Sequence, residues 1–150
     1  MNQLKRTLTE ANHIVITTHK SPDGDAIGSS LALYHFLVKL NKEVTVIVPD
    51  AFPDFLKWMD GSEKVLICDK QQKEADEKIS EADLIYALDY NGLNRIADLK
   101  NPIEKSLATK IVIDHHQDPQ DFADHYIVDQ ACSSTAQLIY EYIENLNQLN

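Results

Sequence analysis

Short apolar runs and helical stripes alternate along the 150-residue chain. Residues 13–18, His-Ile-Val-Ile-Thr-Thr, form a β-branched apolar run, and residues 25–40 follow with helical spacing. In that helix Ile27, Leu31, Tyr34 and Val38 share one stripe, with Leu33, Leu37 and Leu40 beside it. Glu43-Val-Thr-Val-Ile-Val reads as a second strand ended by Pro49, and Pro53 opens a short helix holding Phe55, Leu56 and Trp58. Val65–Cys68 gives a third short strand, and a polar helix follows over residues 70–80. Residues 83–89, 110–114 and 125–129 supply the fourth, fifth and sixth strands. A short helix begins the chain, and Ser133-Ser134-Thr135 opens a last one in which Ser134 and Gln137 have capping-box spacing.

Continuous apolar strands separated by helices predict an α/β fold, a Rossmann-like and mostly parallel sheet with helices on both faces. Right-handed crossovers carry every strand's carboxyl end to one edge, where open sheets of this kind bind their ligands. That rule puts His19, Asp89 and Asp114 on one rim although they are far apart in sequence. No repeat, low-complexity stretch or linker interrupts residues 1–150, so one domain is expected.

Charge narrows the functions open to such a domain. With 24 acidic against 14 basic residues the formal net charge is -10, which gives no general grip on nucleic acid or an anionic membrane. A phosphate substrate would have to be drawn in by bound cations and a few local basic groups. Cys68 and Cys132 lie outside any C-x-x-C pattern and read as reduced thiols. No apolar stretch approaches the ~20 residues of a membrane span. The first ten residues read as a helix and not as a signal peptide, so a cytoplasmic protein is expected.

The chemistry is concentrated in three clusters. The first, His19-Lys-Ser-Pro-Asp23-Gly-Asp25-Ala-Ile-Gly28-Ser-Ser, follows the first strand. Pro22-Asp-Gly makes a tight turn, and the following helix start favours negative charge. An ordinary turn with Asp25 as N-cap would use the same residues. The second cluster is Asp89 with Tyr90-Asn91-Gly92, and Arg95 follows at a spacing suited to gripping a phosphate or to an ordinary surface role. The third is Asp114-His115-His116. Successive strand residues point to opposite faces, so at most one of these histidines is a direct ligand if the strand persists. The other would then face substrate, with Asp114 orienting an imidazole.

Carboxylates crowded on one rim repel one another unless a multivalent cation compensates them. Imidazole and carboxylate without thiolate suit Mn²⁺, Mg²⁺, Fe²⁺ or Co²⁺ better than structural Zn²⁺. The number of carboxylates fits a pair of ions sharing one of them, an arrangement that favours attack of hydroxide on phosphorus.

His19-x3-Asp23-Gly-Asp25-Ala-x-Gly-Ser, Asp89 after a buried strand, and Asp114-His115-His116 together resemble the DHH phosphoesterase superfamily. Pro-Asp-Gly-Asp-Ala-Ile-Gly-Ser and the later Ser133-Ser134-Thr135 look most like its small bacterial branch. Members of that branch degrade short oligoribonucleotides (nano-RNA) and dephosphorylate 3′-phosphoadenosine 5′-phosphate. The resemblance implies two Mn²⁺ ions, with Mg²⁺ or Co²⁺ as alternatives, and attack by a hydroxide that bridges them.

By the same resemblance His19 and Asp23 are ligands of one ion, Asp25 and His115 of the other, and Asp89 bridges them. His116 contacts the scissile phosphate, Asp114 supports it, and Arg95 and Ser134 help to hold substrate. The family supplies a further aspartate in a Thr-Asp-Thr-Gly-like segment, and a second substrate-binding domain called DHHA1. Neither falls within residues 1–150, so a catalytic domain incomplete at its C-terminus is expected. The partners implied are short oligonucleotides or nucleoside bisphosphates, the DHHA1 domain and, as an option, a second copy of the chain; no membrane is implied. Cyclic-dinucleotide phosphodiesterase, pyrophosphatase or exopolyphosphatase activity and a non-catalytic metal-binding fragment are the alternatives.

Overall fold

A computed structural model describes residues 2–148. Six strands form one sheet: β1 (His13–Thr17), β2 (Glu43–Val48), β3 (Leu66–Ile67), β4 (Leu84–Leu88), β5 (Thr109–Asp114) and β6 (His125–Val128). Their order is β3-β2-β1-β4-β5-β6, and every pairing is parallel. The sheet is therefore more regular than the mostly parallel one expected. Winding runs outward from β1 to β3, then resumes from β4 on the other side of β1. The ends of β1 and β4 consequently flank the point where the strand order reverses, the position at which doubly wound sheets open a crevice.

Five helices cover both faces: α1 (Asn2–Glu10), α2 (Gly24–Lys39), α3 (Gln72–Glu81), α4 (Lys100–Lys105) and α5 (Thr135–Gln148). Alternation along each strand decides which face meets which helix. Ile14, Ile16, Tyr86, Ile111 and Ile113 pack with Leu8 of α1, Ile27, Leu33 and Leu37 of α2, and Leu138 and Tyr142 of α5. Val15, Ile47, Ile85, Ala87 and Val112 face the other way, onto Ala75 and Ile79 of α3 and Ile103 of α4. Burying both faces makes the central strands continuously apolar, which is why β4 is buried along its whole length.

Two details differ from the expected pattern. In α2 the residues facing the core are Ile27, Leu31, Leu33 and Leu37, while Val38 and Leu40 are exposed. The row turns because α2 packs against both the sheet and α5, so Val38 falls outside the covered arc. A short helix, α4, also occupies a stretch to which the sequence pattern assigns no element. Lys100-Asn-Pro-Ile-Glu-Lys contributes one buried side chain, Ile103, too few for a visible period. Pro102 is tolerated there because it lies in the first turn, where its missing N–H has no helical partner to lose. The segment after Pro53 is a single 3₁₀ turn, Asp54–Leu56, that buries Leu56 and leaves Phe55 and Trp58 exposed. Among the described residues no helix is long and apolar enough to cross a membrane.

Candidate metal centre

The rim at the β1/β4 boundary gathers six of the expected residues. The loop after β1 carries His19 and Asp23, and Asp25 stands in the first turn of α2. Asp23, rather than Asp25, caps α2: its Oδ1 accepts from the Ala26 backbone N–H at 3.0 Å. Asp25 points across the rim instead. Its two oxygens accept from the backbone N–H groups of Thr135 and Ala136, each at 2.9 Å, so it sits on the N-terminus of α5. That helix end offers unpaired N–H groups and positive dipole, which offsets part of the repulsion between the carboxylates.

Asp89 lies at the centre. It follows the last residue of β4 and holds a left-handed backbone, φ 66°, while its N–H donates to Ile113 O at 3.0 Å. For a residue other than glycine that conformation is strained, and such strain persists where the surroundings over-determine it. Oδ2 lies 3.2 Å from His19 Nε2. Oδ1 lies 3.4 Å from His115 Nε2 and 3.9 Å from His116 Nδ1. It also accepts from the Thr135 hydroxyl at 3.0 Å. The two oxygens of one buried carboxylate thus face two separate groups.

His19 Nδ1 donates to the Lys20 carbonyl oxygen at 2.7 Å, and its Nε2 lies 3.8 Å from Asp23 Oδ1. The hydrogen bond to Asp89 raises the His19 pKa above the ordinary imidazole value against the opposing effect of burial. Burial pushes the Asp89 carboxyl up, but the hydrogen bonds from His19 and Thr135, with the nearby imidazole charges, outweigh it and hold the pKa below normal.

β5 ends at Asp114, so the two histidines leave the strand and strand alternation does not divide them. Both rings turn toward Asp89, their centroids 4.6 Å apart. His116 Nδ1 is 2.6 Å from Asp114 Oδ1, while Asp114 Oδ2 is buried without a hydrogen-bond partner among the described residues. Arg95 ends a 3₁₀ turn after β4, and its carbonyl accepts from the Lys20 N–H at 2.8 Å, which locks it beside the His19 loop. The Ser134 hydroxyl accepts from Gln137 N–H at 3.2 Å, as the capping-box spacing suggested. A Cβ on Gly28 would meet nothing within 4 Å, so the glycine serves no close packing among the described residues.

Among the described residues, ligand-capable atoms fall into two sets whose members lie within 4.8 Å of one another: His19, Asp23 and Asp89, and Asp89, His115 and His116. Asp89 belongs to both. Asp25 stands outside the second set but keeps its Oδ2 3.6 Å from His115 Nε2. The donors are oxygen and imidazole nitrogen only, which fits hard or borderline divalent cations. No lysine or arginine is ion-paired to any of these carboxylates among the described residues, leaving their charge open to a cation. Thr135, buried and bonded to both Asp89 and Asp25, was not assigned a role from the sequence. Its only signal there was the Ser-Ser-Thr triplet.

Fold and rim together define a Rossmann-like α/β domain with a carboxylate–imidazole centre where its sheet reverses order. The chain belongs to the DHH family: the family's N-terminal domain matches residues 13–150. It is 34% identical over 133 residues to the bifunctional oligoribonuclease and PAP phosphatase NrnA of Thermus thermophilus, covering 89% of this chain and 37% of that protein. It is 26% identical over 157 residues to the cyclic-di-AMP phosphodiesterase PdeA of Listeria monocytogenes, covering 97% of this chain and 24% of that protein. A crystal structure of an exopolyphosphatase-related protein from Bacteroides fragilis matches with a TM-score of 0.96 and 48% identity, over 97% of this chain and 43% of that one. This chain spans less than half the length of each. The two curated relatives carry names of phosphoester hydrolases.

Proposed function

We propose that this chain is the catalytic domain of a phosphoesterase that hydrolyses short oligoribonucleotides and nucleoside 3′,5′-bisphosphates with two divalent cations, Mn²⁺ foremost. The observation that carries the reading is the position of Asp89, whose two oxygens face His19 on one side and His115 on the other. His19, Asp23 and Asp89 hold one cation; Asp89, His115 and Asp25 hold the other. Bound cations would supply charge neutralisation at phosphorus and a water acidic enough to attack near neutral pH.

The chain's own groups do the rest. Asp114 accepts from His116 Nδ1 and so fixes the ring with Nε2 free toward the scissile phosphate. The exposed Arg95 guanidinium has no ionic partner among the described residues and grips a phosphate oxygen pair. Ser134 already accepts a hydrogen bond from the backbone, which leaves its own O–H to donate to substrate. A second domain, DHHA1, would close over the rim and choose among substrates.

The test is hydrolysis of a diribonucleotide and of a nucleoside 3′,5′-bisphosphate with Mn²⁺, by this chain and by a longer one carrying the second domain. Both substrates should be cleaved by the longer chain, and Asp89→Ala should abolish the reaction. An unchanged rate for Asp89→Ala would refute the shared-carboxylate reading. The Listeria monocytogenes relative favours one second reading, cleavage of a cyclic dinucleotide, and that compound belongs in the same assay.

A further inference from the structure

α5 meets the carboxylate cluster end on, and a single residue makes both principal contacts. The Thr135 backbone N–H donates to Asp25 Oδ2 at 2.9 Å, and its hydroxyl donates to Asp89 Oδ1 at 3.0 Å. Thr135 is fully buried, so bulk water has no route to replace that hydroxyl. The other neighbours of Asp89 Oδ1 are the His115 and His116 imidazoles, at 3.4 and 3.9 Å. The threonine hydroxyl makes the shortest of these contacts. Its χ1 is restricted by β-branching within the helix start, and its backbone is pinned by Asp25.

We propose that Thr135 is a positioning residue whose hydroxyl holds the Asp89 carboxylate in place for cation binding. The inference rests on reading the cluster as a cation site. Loss of the hydroxyl frees the Asp89 carboxylate to rotate. Because Asp89 belongs to both ligand sets, both loosen together. The motif Ser133-Ser134-Thr135 thereby acquires a division of labour, with Ser134 capping α5 and Thr135 holding the centre.

The experiment is calorimetric titration with MnCl₂, supported by electron paramagnetic resonance of unbound Mn²⁺, on the parent chain and three variants. Thr135→Val removes the hydroxyl at nearly constant volume, and Thr135→Ser keeps it. Leu138→Ala weakens α5 from the core side without touching any carboxylate. Circular dichroism of the metal-free variants checks folding, and Thr135→Ala replaces the valine variant if that one unfolds.

Thr135→Val should bind Mn²⁺ about tenfold more weakly, the scale found when a group supporting a metal ligand is lost. Thr135→Ser should recover parent affinity, and Leu138→Ala should lose melting temperature with little loss of affinity. Parent-like affinity in Thr135→Val overturns the proposal. So does a serine variant as weak as valine, or a leucine variant that loses as much affinity. Those three outcomes leave the cation site standing, whereas a parent chain that binds no Mn²⁺ removes both readings together.

Discussion

His116 Nδ1 and Asp114 Oδ1 lie 2.6 Å apart, so the first and last members of the Asp-His-His triplet are partners, with His115 turned past them toward Asp89. A carboxylate can only accept, so this contact places the proton on Nδ1 and leaves Nε2 free. Asp114→Asn permits the opposite tautomer. Turnover of a nucleoside bisphosphate should fall by about 10- to 100-fold, with Mn²⁺ stoichiometry intact. Kinetics paired with a metal titration separate the two effects.

Metal stoichiometry should follow the ligand sets. Asp89 is common to both, so Asp89→Ala should abolish Mn²⁺ binding at either position. Asp23→Ala removes a ligand from one set only and should leave one ion bound. Equal stoichiometry in these two variants would contradict a shared carboxylate.

The acidity of the metal-free site has a definite sign. His19 has its pKa raised, chiefly by its hydrogen bond to Asp89, so its contribution is complete below the ordinary imidazole value of about 6.5 and fades as pH rises through the raised one. Asp89 is held low although burial pushes it up, because its hydrogen bonds and imidazole neighbours prevail. Its contribution is complete above about 3.9 and fades as pH falls through the lowered value. Melting temperature in EDTA should therefore be highest between those two ordinary values, with Asp89→Asn flattening both limbs. Protons on His19 also compete with cations, so Mn²⁺ affinity should rise with pH through the raised His19 value.

Removal of the Arg95 guanidinium should act on substrate alone. Arg95→Ala should raise KM for a bisphosphate by about tenfold or more, the range of a lost charge-assisted hydrogen bond, while kcat changes little. A matched fall in kcat would point instead to a displaced His19 loop, since Arg95 O accepts from Lys20 N–H.

Away from the rim, Tyr86 and Tyr142 share a buried hydroxyl–hydroxyl hydrogen bond of 2.7 Å between β4 and α5. Tyr86→Phe strands the Tyr142 hydroxyl in the core and should cost about 1–3 kcal/mol. Urea unfolding of the metal-free chain reads this directly, and a neutral result would mean that the Tyr142 hydroxyl finds another acceptor.

The strands were legible because both faces of the sheet are covered, which makes Ile14–Ile16 and Leu84–Leu88 continuous apolar runs with no alternation to misread. Their parallel order then carried His19, Asp89 and Asp114 to one rim without any local signal linking them. What escaped was decided by contacts distant in the chain. Asp25 has the spacing of an N-cap for its own helix as well as of a ligand, yet its carboxylate serves the start of a helix 110 residues away. Asp89's left-handed backbone leaves no trace in Leu-Asp-Tyr-Asn. The paired approach of His115 and His116 depends on where β5 stops, a boundary that residue pattern locates only loosely. α4 was missed because a single buried isoleucine has no period.

The reversal of strand order between β1 and β4 also has a mechanical consequence. His19, Asp23 and Asp25 belong to the half of the sheet wound through β1, β2 and β3, whereas Asp89, His115 and His116 belong to the half wound through β4, β5 and β6. A cation between them would act as a clasp across the seam, at the carboxyl ends of the strands. Amide hydrogens at the close of β1 and β4 should then exchange more slowly with Mn²⁺ present, while β3 and β6 at the outer edges keep their metal-free rates.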